Sequence, residues 1–296
     1  MSELSSFFTE KAKINFGEDE SRKSQSLAQF REWISKHPFI KRCNPTDAHL
    51  LAHLRCCKYS MTNAFEQFEK CLVFIKTHED WFKLSDEDYE RALQLYEAGF
   101  IKIMKKRDAE GRRNAVFTSS LGDPNKFNGD DVMNLQCILF PMLISEEETQ
   151  ICGMNYINSC KNTTVSHLSL LSMKKSFDAL TNLKVFPLSV KNIIIIGVPQ
   201  FAAQAVNMMK YLLTDKMKKR FHVVNDVSEL DDESVKAAFN DDCGDKEVEN
   251  IRELVKTYSE YYKILMDFDI DMEKASASKN VKSFENVGSF RKLEID

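Results

Sequence analysis

The chain has 296 residues, 43% of them hydrophobic and 29% charged, enough apolar material for a sizeable core beneath an ordinary charged surface. Its 41 basic and 45 acidic side chains leave a formal charge of −4. That excludes a nucleic-acid binder relying on a dominant positive field, though not a local basic patch. Eight cysteines form no CxxC pair and fall mostly inside periodic segments, so they read as reduced thiols in a cytoplasmic protein rather than as a disulfide framework.

No basic flank followed by an apolar run opens the chain, so no secretory signal is expected. From 24 to 96 the pattern reads as helices only. Leu27, Phe30 and Ile34 recur at helical spacing until His37 and Pro38 end the run. Residues 44–47 offer a cap before Leu50, Leu51 and Leu54. Ser60 offers one before Ala64, Phe65, Phe68, Leu72 and Ile75, and residues 85–88 resemble a capping box. These helices define an N-terminal region over 1–95.

After Gly99 the period shortens. Phe100, Ile101 and Ile103, a Gly-containing turn over 107–112, and then Ala115, Val116 and Phe117 predict a hairpin. A helix over 132–144, a strand over 154–157 and a helix over 168–183 follow. Residues 193–196 are four isoleucines without alternation, which suits a central strand covered on both faces. A helix over 200–213, a short strand near 221–224 and C-terminal helices complete a second domain, 96–270, followed by a loosely ordered tail, 271–296. Alternating strands and helices predict a mainly parallel, helix-flanked sheet, and so an α/β fold behind an all-helical region. The most apolar stretch, 190–198, is under half of the ~20 residues that span a bilayer.

Catalytic motifs are missing from the sequence. The nine glycines form no phosphate cradle, and neither a GxSxG elbow nor an HExxH pair occurs. His49 and His53 share a helical face without a third ligand, so no metal is expected. The expected class is a non-enzyme without a cofactor.

The helix over 200–213 has an unusual surface. Gln200, Gln204, Asn207 and Lys210 form one polar stripe, and the remainder is apolar. Such an arc suits a fully buried core helix, or a helix facing a lipid on one side and a membrane on the other. Lys216, Lys218, Lys219 and Arg220 follow it; cations there either complement the helix dipole or meet anionic headgroups.

Several segments, in order, resemble one family. Residues 54–64, LRCCKYSMTNA, are similar to an LRARKFDVERA segment. The hairpin from Gly99 with its 106–112 turn is followed at the expected distance by Asp123 and Pro124. Phe186, Pro187 and Leu188 lead into the isoleucines and then Pro199, and residues 213–220, LTDKMKKR, are similar to an LTEKIKERI stretch. With residues 30–34, FREWI, these identify a divergent member of the CRAL-TRIO family, nearest its tocopherol-transfer-like group. Departures include Cys57, Asn158, Lys161, Ser189, Gly197 and the 243–245 segment.

The resemblance implies an N-terminal helical domain followed by a CRAL-TRIO α/β/α domain, whose mainly parallel sheet floors a lipid pocket closed by a mobile helix. Candidate pocket residues are Phe117, Tyr156, Ile194 and Ile196 from strands, Phe140, Ile144 and Phe177 from helices, and Phe201, Ala205, Met208 and Leu212 from the closing helix. The ligand would be one non-covalently bound tocopherol-, retinoid-, carotenoid- or phospholipid-like molecule, carried by a monomer that touches anionic membranes and no nucleic acid. Lys191, Lys216 and Arg220 match positions that bind phosphoinositide in such relatives, with Lys218 and Lys219 beside them; Cys57 and Ser189 replace basic residues. A lipid-sensing adaptor without transfer activity is the alternative, and an enzyme acting on the bound lipid a further one.

Overall fold

Helices open the chain: α1 (Ser6–Phe16), α2 (Glu20–Ser35), then a short strand β1 (Ile40–Cys43), α3 (Asp47–Cys56), α4 (Met61–Thr77), α5 (Glu79–Phe82) and α6 (Asp86–Glu97). The α/β part follows with β2 (Ile101–Ile103), β3 (Arg113–Thr118), α7 (Gly129–Ser145), α8 (Glu147–Cys152), β4 (Met154–Ser159) and β5 (Val190–Ile196). It continues with α9 (Ala203–Leu212), α10 (Asp215–Lys218), β6 (Phe221–Val224), α11 (Ile251–Met266), β7 (Phe268–Ile270) and α12 (Met272–Ala277). This computed structural model describes residues 4–170, 185–213, 215–230, 233, 236 and 248–277. The helix expected over 168–183 lies almost wholly outside the described residues, as does the tail beyond Ala277.

Local signals start the helices. Asp19 accepts from the Arg22 backbone N–H ahead of α2, and Ser85 accepts from Asp88 N–H ahead of α6. Thr46 and His49 form a reciprocal capping box at α3, as do Asn128 and Asp131 at α7. In the helical lobe, Phe30 has no exposed surface and meets Trp33, Phe65 and Phe68 edge-on, with ring centroids 5.1–6.0 Å apart.

The lobe is not helical throughout. β1 pairs antiparallel with β7 from the far end of the sequence, and Ile270 and Ala275 are buried in the same core as Phe30. A four-residue strand between two helices has too little alternation to read without its partner.

The main sheet has the order β2-β3-β4-β5-β6, with only β2 antiparallel. Because the parallel strands advance in one direction, right-handed crossovers fall on one face. The register assigns Ala115, Phe117, Tyr156, Asn158, Ile193, Ile195 and Phe221 to that face. There α7 packs over Ala115 and Phe117, and α9 over Ile193, Ile195 and Phe221. Val116, Ile157, Ile194, Ile196 and Val224 line the opposite face with Met104, Val227 and Leu230.

A buried ion cluster joins the two parts. Arg55 of α3, fully buried, donates to both carboxylate oxygens of Glu18, to Glu147 and to Gln150. Tyr59, held with Lys58 in left-handed backbone (φ 59° and 51°), donates its hydroxyl to Glu18 at 2.8 Å. Every charge in the cluster is hydrogen-bonded, as burial requires.

Candidate functional site

The first site is the helix-covered face of the sheet. Phe117 and Tyr156, diagonal neighbours on β3 and β4, bring their rings to 4.2 Å, and Phe140 of α7 packs against the same cluster. Tyr156 is partly buried, packed between the clusters under α7 and α9, and burial raises the pKa of its hydroxyl. Beyond it Asn158 accepts from the Ser119 hydroxyl at 2.9 Å, a neutral polar pair at the rim of an apolar floor.

Over this floor runs α9, the crossover from β5 to β6. Val206 of α9 and Leu213, just after its end, pack down onto Ile193, Ile195 and Phe221. Met208 and Tyr211 of α9, and Phe201 in the turn that leads into it, point away, 58%, 83% and 40% exposed. A fully buried core helix is therefore excluded: this helix is apolar on both its inner and its outer side. Large apolar side chains exposed on one short element mark a surface with a use. Leu121, Val165 and Leu168, in the segments after β3 and β4, are exposed as well.

The expected pocket residues do not all converge. Ile194 and Ile196 lie on the opposite face, in the core with Val116 and Ile157, and so cannot share a pocket with Phe117 and Tyr156. The unbroken isoleucine run carries no alternation to show which pair faces inward; the register selects Ile193 and Ile195. Ile144 is buried at the end of α7, where its carbonyl accepts from Gln150, which also bonds Ala48 of α3, so it belongs to the junction with the helical lobe. Phe177 and the side chains of Ala205 and Leu212 lie outside the described residues.

The second site is cationic and sits at the opposite, amino-terminal edge of β5. Arg220 donates to the Val190 carbonyl at 2.6 Å, and an Arg112 guanidinium nitrogen lies 3.2 Å from the Asn192 side-chain amide. Lys191 stands between them, its stem laid against Gly153, whose φ of 81° brings the backbone close. Burial, then the like charges of Arg220, Arg112 and Lys216, hold the Lys191 ammonium below the ordinary lysine range. Among the described residues no carboxylate lies within 4 Å of Lys191, Lys216 or Arg220.

Of the basic residues expected from the sequence, Lys191, Lys216 and Arg220 thus gather. Lys218 turns to Asp215 at 3.7 Å, and Lys219 is exposed. Arg112 was not foreseeable, since only the sheet register brings the hairpin to β5. Two of the four gathered cations come from outside the segment that follows α9, so dipole complementation alone does not account for the cluster. The paired His49 and His53 serve the core: His49 stacks on Tyr261 at 3.7 Å and His53 contacts Gln67.

Residues 97–246 match the CRAL/TRIO domain, and the chain belongs to that family, whose members bind lipophilic molecules without covalent attachment. It is 24% identical to Clavesin-1 of Rattus norvegicus over 214 residues, 71% of this chain and 60% of that protein. It is also 24% identical to tyrosine-protein phosphatase non-receptor type 9 of Mus musculus, over 68% of this chain and 33% of the other. The chain thus spans less than two thirds of the length of these relatives. The solved structure of Sfh5 aligns with a TM-score of 0.43 at 11% identity, over 78% of this chain and 84% of that one. Among the described residues no helix is long and apolar enough to cross a membrane.

Proposed function

We propose that this chain is a cytoplasmic carrier that encloses one lipophilic molecule between the helix-covered sheet face and α9, and exchanges it at anionic membranes without altering it chemically. The observation that carries this reading is the two-sided apolar surface of α9 and its flanks, with Val206 and, just after the helix, Leu213 inward, and Met208, Tyr211 and, just before the helix, Phe201 outward. Each methylene buried contributes ~0.8 kcal/mol, and a bilayer offers about the same. Exchange between pocket and membrane is then nearly balanced, and the barrier is passage through water. A covering helix that is itself apolar outside removes that barrier by opening against the bilayer.

The cations around Lys191 support a contact with phosphoinositide headgroups, each contributing ~1 kcal/mol near an anionic surface. The ligand is a single tocopherol-, retinoid-, carotenoid- or phospholipid-like molecule. The test is transfer between vesicles: protein loaded with each class, donor vesicles of neutral lipid, acceptors with and without phosphatidylinositol bisphosphate. Saturable binding with faster transfer to anionic acceptors is expected. Binding without transfer would make the protein a lipid-sensing adaptor, chemical conversion would make it an enzyme, and no binding across the panel would overturn the reading.

A further inference from the structure

Two consecutive thiols share one partner at the end of α3. The helix stops at Cys56, and Cys57 follows with φ −90° and ψ 11° before Lys58 and Tyr59 turn into left-handed backbone. Neighbouring side chains inside a helix point apart, but at this helix end both return to Gln67 of α4. Cys57 Sγ donates to Gln67 Oε1 at 3.6 Å, and Gln67 Nε2 donates to Cys56 Sγ at 3.5 Å. Both cysteines are half-buried, so the pair is reached from the surface. Burial pushes the Cys56 thiol up and the Cys57 thiol up to about 12, so neither acts alone as a thiolate at neutral pH. The charges facing them differ in sign. Lys191 and Lys216 favour a thiolate at Cys56, while Cys56 itself and Glu66, which is paired to Lys70 at 2.6 Å, oppose one at Cys57.

We infer that Cys56 and Cys57 form a two-sulfur site for a soft monovalent ion of the copper(I) type. Soft thiolate ligands select such ions. Among the described residues no group of three or more His, Cys, Asp or Glu side chains could hold a metal, so the four ligands of a structural zinc are not supplied here. The ion replaces two thiol protons: two metal–sulfur bonds form, two protons pass to solvent, and no oxidation state changes. One cation and two thiolates leave a single negative charge where there was none. Lys191 and Lys216 offset that charge on the Cys56 side, and Gln67, bonded to both sulfurs, is the positioning residue.

In the test, copper(I) is titrated anaerobically into the reduced full chain against a chromogenic copper(I) chelator. One tight equivalent should bind, and X-ray absorption at the copper edge should show two sulfur neighbours. Cys56→Ser and Cys57→Ser should each weaken binding at least about tenfold. Cys160→Ser, at a half-buried cysteine elsewhere, should leave it unchanged. Thermal unfolding of the metal-free variants controls for folding. Phenylarsine oxide gives a second measurement on the unaltered chain. Its arsenic bridges two neighbouring thiols with loss of one water, and the adduct should map to the peptide that carries Cys56 and Cys57. No tight equivalent in the wild type, undiminished binding by folded serine variants, or an arsenic adduct confined to other cysteines overturns the assignment. Each of these results leaves the carrier reading standing, because lipid transfer does not depend on this pair.

Discussion

The stem of Lys191 lies across Gly153, so that a Cβ at position 153 would come within 2.7 Å of Lys191 Cε and run into the Ser189 carbonyl. Gly153 has φ 81° and ψ −165°, a conformation that is essentially confined to glycine. Gly153→Ala should therefore cost about 1–3 kcal/mol in unfolding free energy and displace Lys191 as well. A combined measurement of denaturant midpoint and bisphosphate-vesicle binding checks this. Lost stability with intact binding would mean that Lys191 is not held by this contact.

The exposed apolar side chains of α9 and the buried floor beneath it should respond differently to charge. Met208→Asp and Tyr211→Asp alter exposed positions, so stability should change by no more than about 0.5 kcal/mol, while transfer to vesicles falls steeply. Ile195→Asp, at a position 3% exposed, should cost several kcal/mol. Equal destabilisation by all three variants would show that α9 is a core element and not a covering one.

Arg55 makes a sharper stability prediction. Arg55→Met removes the partner of Glu18, a carboxylate only 9% exposed, and should cost about 3–5 kcal/mol. Adding Glu18→Gln should recover part of that loss, because the unpaired charge goes with it. Equilibrium unfolding of the single and double variants decides the point; additive losses would contradict it.

Two interior histidines set an acid limit. Burial holds His49 at a pKa of about 4 and His53 at about 3, the first partly offset by the Tyr261 backbone and the second by Gln67. Both values lie below those of the unfolded chain. The neutral forms therefore stabilise the fold fully above about pH 6.5, and that contribution is lost as pH falls toward 4 and then 3, where only the unfolded chain has taken up the protons. At about 1.4 kcal/mol per pH unit for each, the loss amounts to several kcal/mol. Unfolding midpoints between about pH 7 and pH 4 should fall in the wild type and flatten in His53→Gln.

Much of this architecture is legible in the residues. The hairpin around Gly111, the isoleucine strand and the capped helices α3 and α6 all carry signals within a few residues of where they form. The family resemblance also pointed to Lys191, Lys216 and Arg220, which gather. What could not be read depends on register. Ile194 and Ile193 are chemically identical neighbours, and only pairing with Ile157 and Tyr156 decides which one looks into the covered face. Arg112 is one cation in a basic turn until the sheet brings it beside Asn192. The exposure of Met208 depends on which side of α9 the floor lies.

The antiparallel pairing of β1 with β7 has a consequence for how the molecule is made. Ile40 finds its partner in Ile270, and the core around Phe30 is closed by Ala275, so the lobe that begins the chain is finished by nearly the last described residues. Order of synthesis and order of assembly then cannot coincide. Although domains tend to fold as they emerge, this lobe must stay open until the sheet-containing part has left the ribosome. Contacts of such long sequence separation slow the search for the native state. A nascent chain stopped before β7 would show a formed sheet beside an incomplete helical lobe, with Ile40 and its neighbours still available to a chaperone.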